Sequence, residues 1–223
     1  QFPSGVVAPL VSTSDSISFD AVTGKAGIEW FANDNIMLYG SISRGFKTGG
    51  FFGGFATTQA ELEPFDEEKI WAYEAGFKTD WLDGRARLNG AVFYYDRSGV
   101  QQSAANPLSP VNIKRLVNVG DVETYGGELE LTWQVDEYMS FMVSAGLLDA
   151  EVTSSDFIQA ANLPLLPDAP VEGSNVPNYA EFSMNAVARY DYPLGNGWNV
   201  WLQGEYMRRS DTDLAIITNP LEE

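Results

Sequence analysis

Along most of this chain apolar and polar side chains alternate with a period of two, the repeat of a β-strand rather than of a helix. Between Glu68 and Thr79, residues Trp71, Tyr73, Ala75 and Phe77 share one parity, and Glu74, Gly76 and Lys78 share the other. Between Thr124 and Val135, residues Leu129, Leu131, Trp133 and Val135 oppose Glu128, Glu130, Thr132 and Gln134. Between Ala180 and Tyr192, residues Phe182, Met184, Ala186, Ala188 and Tyr190 oppose Ser183, Asn185, Arg189 and Asp191. A repeat of 3.6 residues would scatter these groups around a cylinder. The pattern predicts an all-β chain with strands near 17–31, 36–47, 68–81, 85–96, 123–135, 138–149, 180–192 and 198–209.

The connections between these segments alternate in length. Ala32 to Asn35, Leu82-Asp83-Gly84, Asp136-Glu137 and Pro193 to Gly197 are short and rich in Asn, Asp and Gly, which accept positive φ. The connections near 48–67, 97–122 and 150–179 are far longer. Repeated long loops are uncommon in compact soluble domains, but outer-membrane barrels combine short periplasmic turns with long extracellular loops. Trp30, Phe31, Trp81, Trp133, Tyr192 and Trp198 all lie beside short turns. Rings with an apolar body and a polar edge favour a hydrocarbon–water boundary, so these residues predict one interfacial girdle.

A basic side chain on the lipid side at the bilayer midplane costs about 2–4 kcal/mol. The faces carrying Trp71, Tyr73, Phe77, Leu129, Leu131 and Trp133 are therefore predicted to meet lipid. The faces carrying Arg44, Glu74, Lys78, Arg87, Glu128, Glu130, Arg189, Glu205 and Arg209 are predicted to line a wet lumen. Side chains fill the bore of a closed eight-stranded barrel. The charge load predicts instead an arc of a wider barrel, antiparallel and up-and-down. No run of apolar residues is long enough for a transmembrane helix.

Composition removes other classes. The chain has no cysteine and no histidine, which excludes disulfides, imidazole or thiolate metal sites and Ser-His-Asp or Cys-His nucleophiles. With 13 basic and 31 acidic residues its formal net charge is −18, which argues against nucleic acid as a partner. Glu128 and Glu130, about 7 Å apart along one strand, cannot flank a sugar from two sides, so no catalytic residues are assigned. The run Gly49 to Phe55 lacks the Lys-Ser/Thr ending of a phosphate loop and reads as a loop with aromatic tips. Asp149, Glu151, Asp156, Asp168 and Glu172 make the 150–179 connection acidic without the ligand spacing of a dedicated calcium site. No metal and no cofactor is expected.

Three motifs are more specific than alternation. Tyr39-Gly-Ser-Ile-Ser-Arg-Gly-Phe-Lys-Thr-Gly-Gly-Phe51 resembles the strand-and-loop element of TonB-dependent outer-membrane receptors. Pro64-Phe65-Asp66-Glu67-Glu68, followed by Trp71-Ala-Tyr-Glu-Ala-Gly-Phe-Lys78, is similar to their stretch ending in Y-E-x-G-x-K. Val117-Asn-Val-Gly-Asp-Val-Glu-Thr-Tyr-Gly-Gly-Glu-Leu-Glu130 resembles their N-x-G…G-x-E-x-E entry into a strand, and Gly146 to Ala150 completes the order. The resemblance covers about half of the chain and is nearest to the iron-complex receptor branch.

It implies a barrel of about 22 strands around a plug domain, with energy-coupled import of a siderophore-like or other large scarce solute across the outer membrane of a Gram-negative cell. TonB would engage an N-terminal region outside these residues. Residues 1–223 then read as one partial barrel domain, a fragment lacking the plug and the final strands. Arg44, Lys47, Phe51, Phe52 and Phe55 are the expected ligand contacts at the lumen or loops. Glu74, Lys78, Glu128, Glu130 and Arg189 are expected to face the lumen, and Trp71, Tyr73, Trp81, Trp133 and Trp198 to face lipid or form the girdle. Gly40, Gly76, Gly90, Gly127, Gly146 and Gly204 are expected where neighbouring rings cross or the wall curves. From the residues alone a passive porin-type channel and a soluble β-sandwich binding module stay open. A plug upstream would separate receptor from porin, and detergent dependence would separate barrel from sandwich.

Overall fold

Alternation of this kind leaves each strand with two chemically different faces, and pairing neighbours in register extends those faces across a sheet. The computed structural model describes residues 15–51, 64–105, 114–155, 172–176 and 179–212. Its strands are β1 (Gly24–Asn33), β2 (Ile36–Lys47), β3 (Glu68–Trp81), β4 (Ala86–Ser98), β5 (Gln101–Ala105), β6 (Lys114–Asn118), β7 (Asp121–Gln134), β8 (Met139–Ser154), β9 (Phe182–Gly195) and β10 (Trp198–Arg209). Eight of these form one antiparallel sheet in the order β1-β2-β3-β4-β7-β8-β9-β10, while β5 and β6 pair as a separate hairpin. All extensive contacts between described strands join sheet neighbours, so no second layer covers either face among the described residues. A sandwich would need such a layer.

The eight main strands lie where the alternation predicts them, with three differences. β1 begins at Gly24, not near residue 17. β8 runs five residues past its expected end, to Ser154. The 97–122 connection is not a loop throughout, because β5 and β6 lie within it. Backbone bonds from Val100 N to Gly120 O (2.8 Å) and Val119 N to Val100 O (2.9 Å) join this hairpin to the β4–β7 pair.

The short turns are built by side-chain acceptors and left-handed backbone. Asn33 Oδ1 accepts the Asn35 N–H at 2.9 Å. Asp136 Oδ1 accepts both the Tyr138 and Met139 N–H groups at 2.8 Å. Leu82, Asp83 and Gly84 take φ of 56°, 57° and 81°, and Gly195, Asn196 and Gly197 take 82°, 52° and 80°. In this turn region the Tyr138 hydroxyl bonds the Glu137 carboxylate, which raises the phenol above its ordinary pKa.

Residues opposite each other in the register share a face. One row reads Leu38, Phe77, Gly90, Leu129, Ala145, Met184 and Arg208. A row on the reverse side reads Ser41, Glu74, Phe93, Gly126 and Leu148. The register therefore sums the alternation of single strands into one apolar face and one predominantly polar face.

Three interior glycines are crossed by rings. A Cβ on Gly76 would lie 2.5 Å from Gly90 O and 2.7 Å from the Tyr39 ring, one on Gly90 would lie 2.6 Å from Phe77, and one on Gly126 would run into Leu147 O and lie 2.7 Å from Phe93. At Gly40 the nearest atom would be 3.8 Å away, and at Gly204 there is open space. Rings therefore cross Gly76 and Gly90 as expected, and Gly126 as well, whereas none crosses Gly40, Gly127, Gly146 or Gly204.

Candidate functional site

The apolar face is bounded by aromatic rings at both ends. At the short-turn end, Trp81 and Trp133 both pair with Ala86, so all three share this face. Trp133 packs on Phe141 at 6.2 Å between centroids. Tyr138, Tyr190 and Tyr192 form a second group, with centroids 5.9–6.3 Å apart. Trp198 stands at the β9–β10 turn and is 75% exposed. At the long-connection end, Tyr73, Tyr94 and Tyr125 are consecutive partners across β3, β4 and β7. Tyr73 lies 6.5 Å from Trp71 and 6.0 Å from Tyr94.

The two aromatic levels are eight positions apart on each of these strands: Tyr73 to Trp81, Tyr94 to Ala86, Tyr125 to Trp133. Eight strand residues extend about 27 Å, or about 20 Å along the axis at a barrel's usual tilt, which fits an apolar band about 25 Å tall. Asp149 continues the tyrosine row opposite Tyr125, and beyond that row this face becomes charged, with Arg44, Asp96, Glu123 and Glu151. Tyr125 donates its hydroxyl hydrogen bond to Asp149 at 2.7 Å.

The polar face gathers Glu74, Lys78, Glu128, Glu130 and Arg189 together with Arg87, Glu205 and Arg209. Arg87 makes two bonds to the Asp80 carboxylate, at 2.8 and 3.3 Å. Arg189 does the same to Asp191 at 2.7 and 2.9 Å, and its guanidinium lies 4.8 Å from the Trp201 ring. Lys78 Nζ lies 6.0 Å from the Tyr39 ring. This face also carries aromatic residues that alternation did not single out, including Phe93 and Tyr95, stacked at 5.0 Å.

Arg44 is a correction to the sequence reading. Its register partner is Trp71, and its guanidinium stacks 5.2 Å from that ring. It stands on the apolar face at the charged rim, because β2 keeps its parity to the strand end while side-chain chemistry changes there. Lys47, opposite Glu68, does lie on the polar face. Phe51 follows immediately after the Gly50–Phe65 bridge and is exposed. Phe52, Phe55, Asp156 and Asp168 lie outside the described residues.

Above the polar face, the bases of two long connections are joined. Gln101 Nε2 donates to Thr48 O at 3.0 Å and to Asp66 O at 2.9 Å. Asn118 Nδ2 donates to Asp66 O at 3.0 Å and Gly99 O at 2.7 Å, and its Oδ1 accepts Asp66 N–H at 2.7 Å. The sequence reading did not foresee this junction. Its one available signal was Asn118 in the N-x-G motif. Among the described residues no cluster of carboxylates could hold a metal ion.

Comparison with known proteins decides what a two-faced sheet of this kind belongs to. Residues 2–220 match the family described as TonB dependent receptor-like, beta-barrel. The chain belongs to this family. TonB-dependent receptors are Gram-negative outer-membrane proteins, transporters rather than enzymes. The metal-pseudopaline receptor CntO of Pseudomonas aeruginosa is 27% identical over 192 residues, covering 86% of this chain and 23% of that protein. The pesticin receptor of Yersinia enterocolitica is 26% identical over 149 residues, 66% of this chain and 21% of the receptor. Among solved structures, the ferric yersiniabactin uptake receptor FyuA of Yersinia pestis superposes with a TM-score of 0.60 at 20% identity, covering 84% of this chain and 24% of that one. The ferric preacinetobactin receptor BauA of Acinetobacter baumannii gives 0.60 at 21% identity, with 84% and 25% covered. These likenesses show the fold. The chain spans about a quarter of the length of the relatives it matches.

Proposed function

We propose that this TonB-dependent receptor barrel segment serves energy-coupled uptake of a siderophore–iron complex or a similar large, scarce solute. The chain supplies eight strands of a wall of about 22. The plug, the remaining strands and the TonB-contacting region belong to parts of the receptor outside these residues. The observation that carries the reading is the single-layer sheet with one apolar and one charged face, set in a family whose relatives take metal complexes. Those relatives are described as receptors of metal-pseudopaline, ferric yersiniabactin and ferric preacinetobactin.

In this reading Trp71, Tyr73, Trp81, Trp133 and Trp198 meet lipid or its boundary. Glu74, Lys78, Glu128, Glu130 and Arg189 line the wet interior. Lys47 and Phe51, with Phe52 and Phe55, belong to the ligand-contacting mouth: a cation attracts an anionic chelate, and rings stack on its planar groups. Arg44, on the apolar face, is better placed to meet headgroups than lumen contents.

The test is uptake of radio-iron chelates of catecholate, hydroxamate and carboxylate type by cells with and without the full-length gene. Accumulation of at least one chelate is expected only with the gene, with TonB and with an energised inner membrane. Accumulation that persists after uncoupling indicates a passive pore and overturns the proposal.

A further inference from the structure

We propose that Gln101 and Asn118 are positioning residues that lock two extracellular connections into one unit at the receptor mouth, an inference that rests on the uptake reading above. The connection between β2 and β3 carries Phe51, Phe52 and Phe55 in its sequence. Its two described legs are already joined by the Gly50–Phe65 bridge, with N–H to O distances of 3.0 and 2.9 Å. The Gln101 carboxamide spans both legs, donating one hydrogen bond to Thr48 O and one to Asp66 O. Asn118 pairs its amide with both the N–H and the C=O of Asp66, which reproduces with a side chain what a neighbouring strand would do.

Both clasping residues sit at the foot of the β5–β6 hairpin, where Gln101 pairs with Asn118. That foot is itself fixed. Gln101 N–H donates to Glu68 Oε2 at 3.0 Å, and Gly99 N–H donates to Asp121 Oδ1 at 3.0 Å. Val119 is 2% and Gln101 9% exposed, so water has little access to the Gln101 side of the joint, whereas the Asn118–Asp66 pair stands at its exposed edge. Exposed backbone carbonyls need no side-chain donors, so four bonds donated by two carboxamides at one junction, three of them partly buried, make a built joint rather than a surface coincidence. Its consequence is that a chelate touching the aromatic segment also meets a hairpin held at fixed distance, which lowers the ordering cost of binding.

The experiment uses the full-length receptor, with spin labels at Phe51→Cys and Ser103→Cys for the distance measurement only and unlabelled protein for binding, comparing Gln101→Leu, Asn118→Leu and Asn118→Asp with the otherwise unaltered protein. Asn118→Asp keeps the acceptor for Asp66 N–H and removes both donors, so it serves if a leucine variant fails to assemble. The expected result is a narrow inter-label distance distribution that broadens in each variant. Alongside it, binding of the radio-iron chelate retained best by the unaltered receptor should weaken about tenfold, with unchanged amounts of folded barrel in the outer membrane. A distribution that stays narrow in the variants overturns the proposal, and so does broadening with unchanged chelate affinity. If the unaltered receptor binds none of the chelates, the uptake reading fails, and the distance measurement alone still decides the joint.

Discussion

Gly76 and Gly40 sit in neighbouring strands of the same sheet and differ in what a methyl group would meet. At Gly76 it would meet Gly90 O at 2.5 Å and the Tyr39 ring at 2.7 Å, whereas at Gly40 the nearest atom lies at 3.8 Å. We expect Gly76→Ala to destabilise the folded barrel by about 1–3 kcal/mol through overpacking, and Gly40→Ala to be close to neutral. Urea unfolding of the two variants in detergent checks the contrast, and equal losses would remove the close-packing explanation of Gly76. Leu131 and Thr132 give a second contrast between adjacent positions. Leu131 lies between Leu88 and Val143 on the apolar face, and Thr132 between Arg87 and Met142 on the polar one. Leu131→Arg should cost about 2–4 kcal/mol and deplete the protein from outer membranes, while Thr132→Arg should be tolerated. Heat-modifiable mobility of the membrane fraction reads both. At this scale parity was legible and chemistry misled once. Arg44 has the parity of Leu38 and Ile42, and only its charge suggested the other face. Which glycines receive a ring was not legible, because that depends on the register between strands, which no single strand records.

Among the elements, the main strands and short turns could be read directly, since alternation and Asn/Asp/Gly punctuation both survive in local sequence. The turn before β8 illustrates the mechanism: one Asp136 oxygen accepts two backbone N–H groups. Asp136→Ala is expected to cost about 1 kcal/mol, and Asp136→Asn, which keeps an acceptor, less, by the same unfolding measurement. The β5–β6 hairpin was invisible. Its strands, Gln101 to Ala105 and Lys114 to Asn118, lack the alternation that marks the wall. Its foot is held by carboxamides and backbone groups, an arrangement without periodicity. Polar joints between segments distant in sequence leave no local pattern, so Asn118 was visible only as part of a motif and Gln101 not at all.

For the whole molecule, exposing one broad apolar face and two sheet margins has a consequence in solution. Neither β1 nor β10 has a second neighbour among the described strands, and unpaired strand margins template association. The isolated chain is expected to self-associate in plain buffer and to need detergent or lipid to stay dispersed. Sedimentation with and without detergent checks this, and a stable monomer without either would contradict the assignment of the apolar face. The fold class and membrane location were legible because they are sums of local alternation. No ligand was legible, because the long connections carry no alternation from which contacts could be read.

The order of the sheet also restricts how a ring can be completed. β1 descends toward the short turns and β10 climbs away from them. Two such margins are already antiparallel to each other. Whatever backbone bridges them in the assembled receptor must therefore contribute an even number of crossings, since an odd number would force one seam to run parallel.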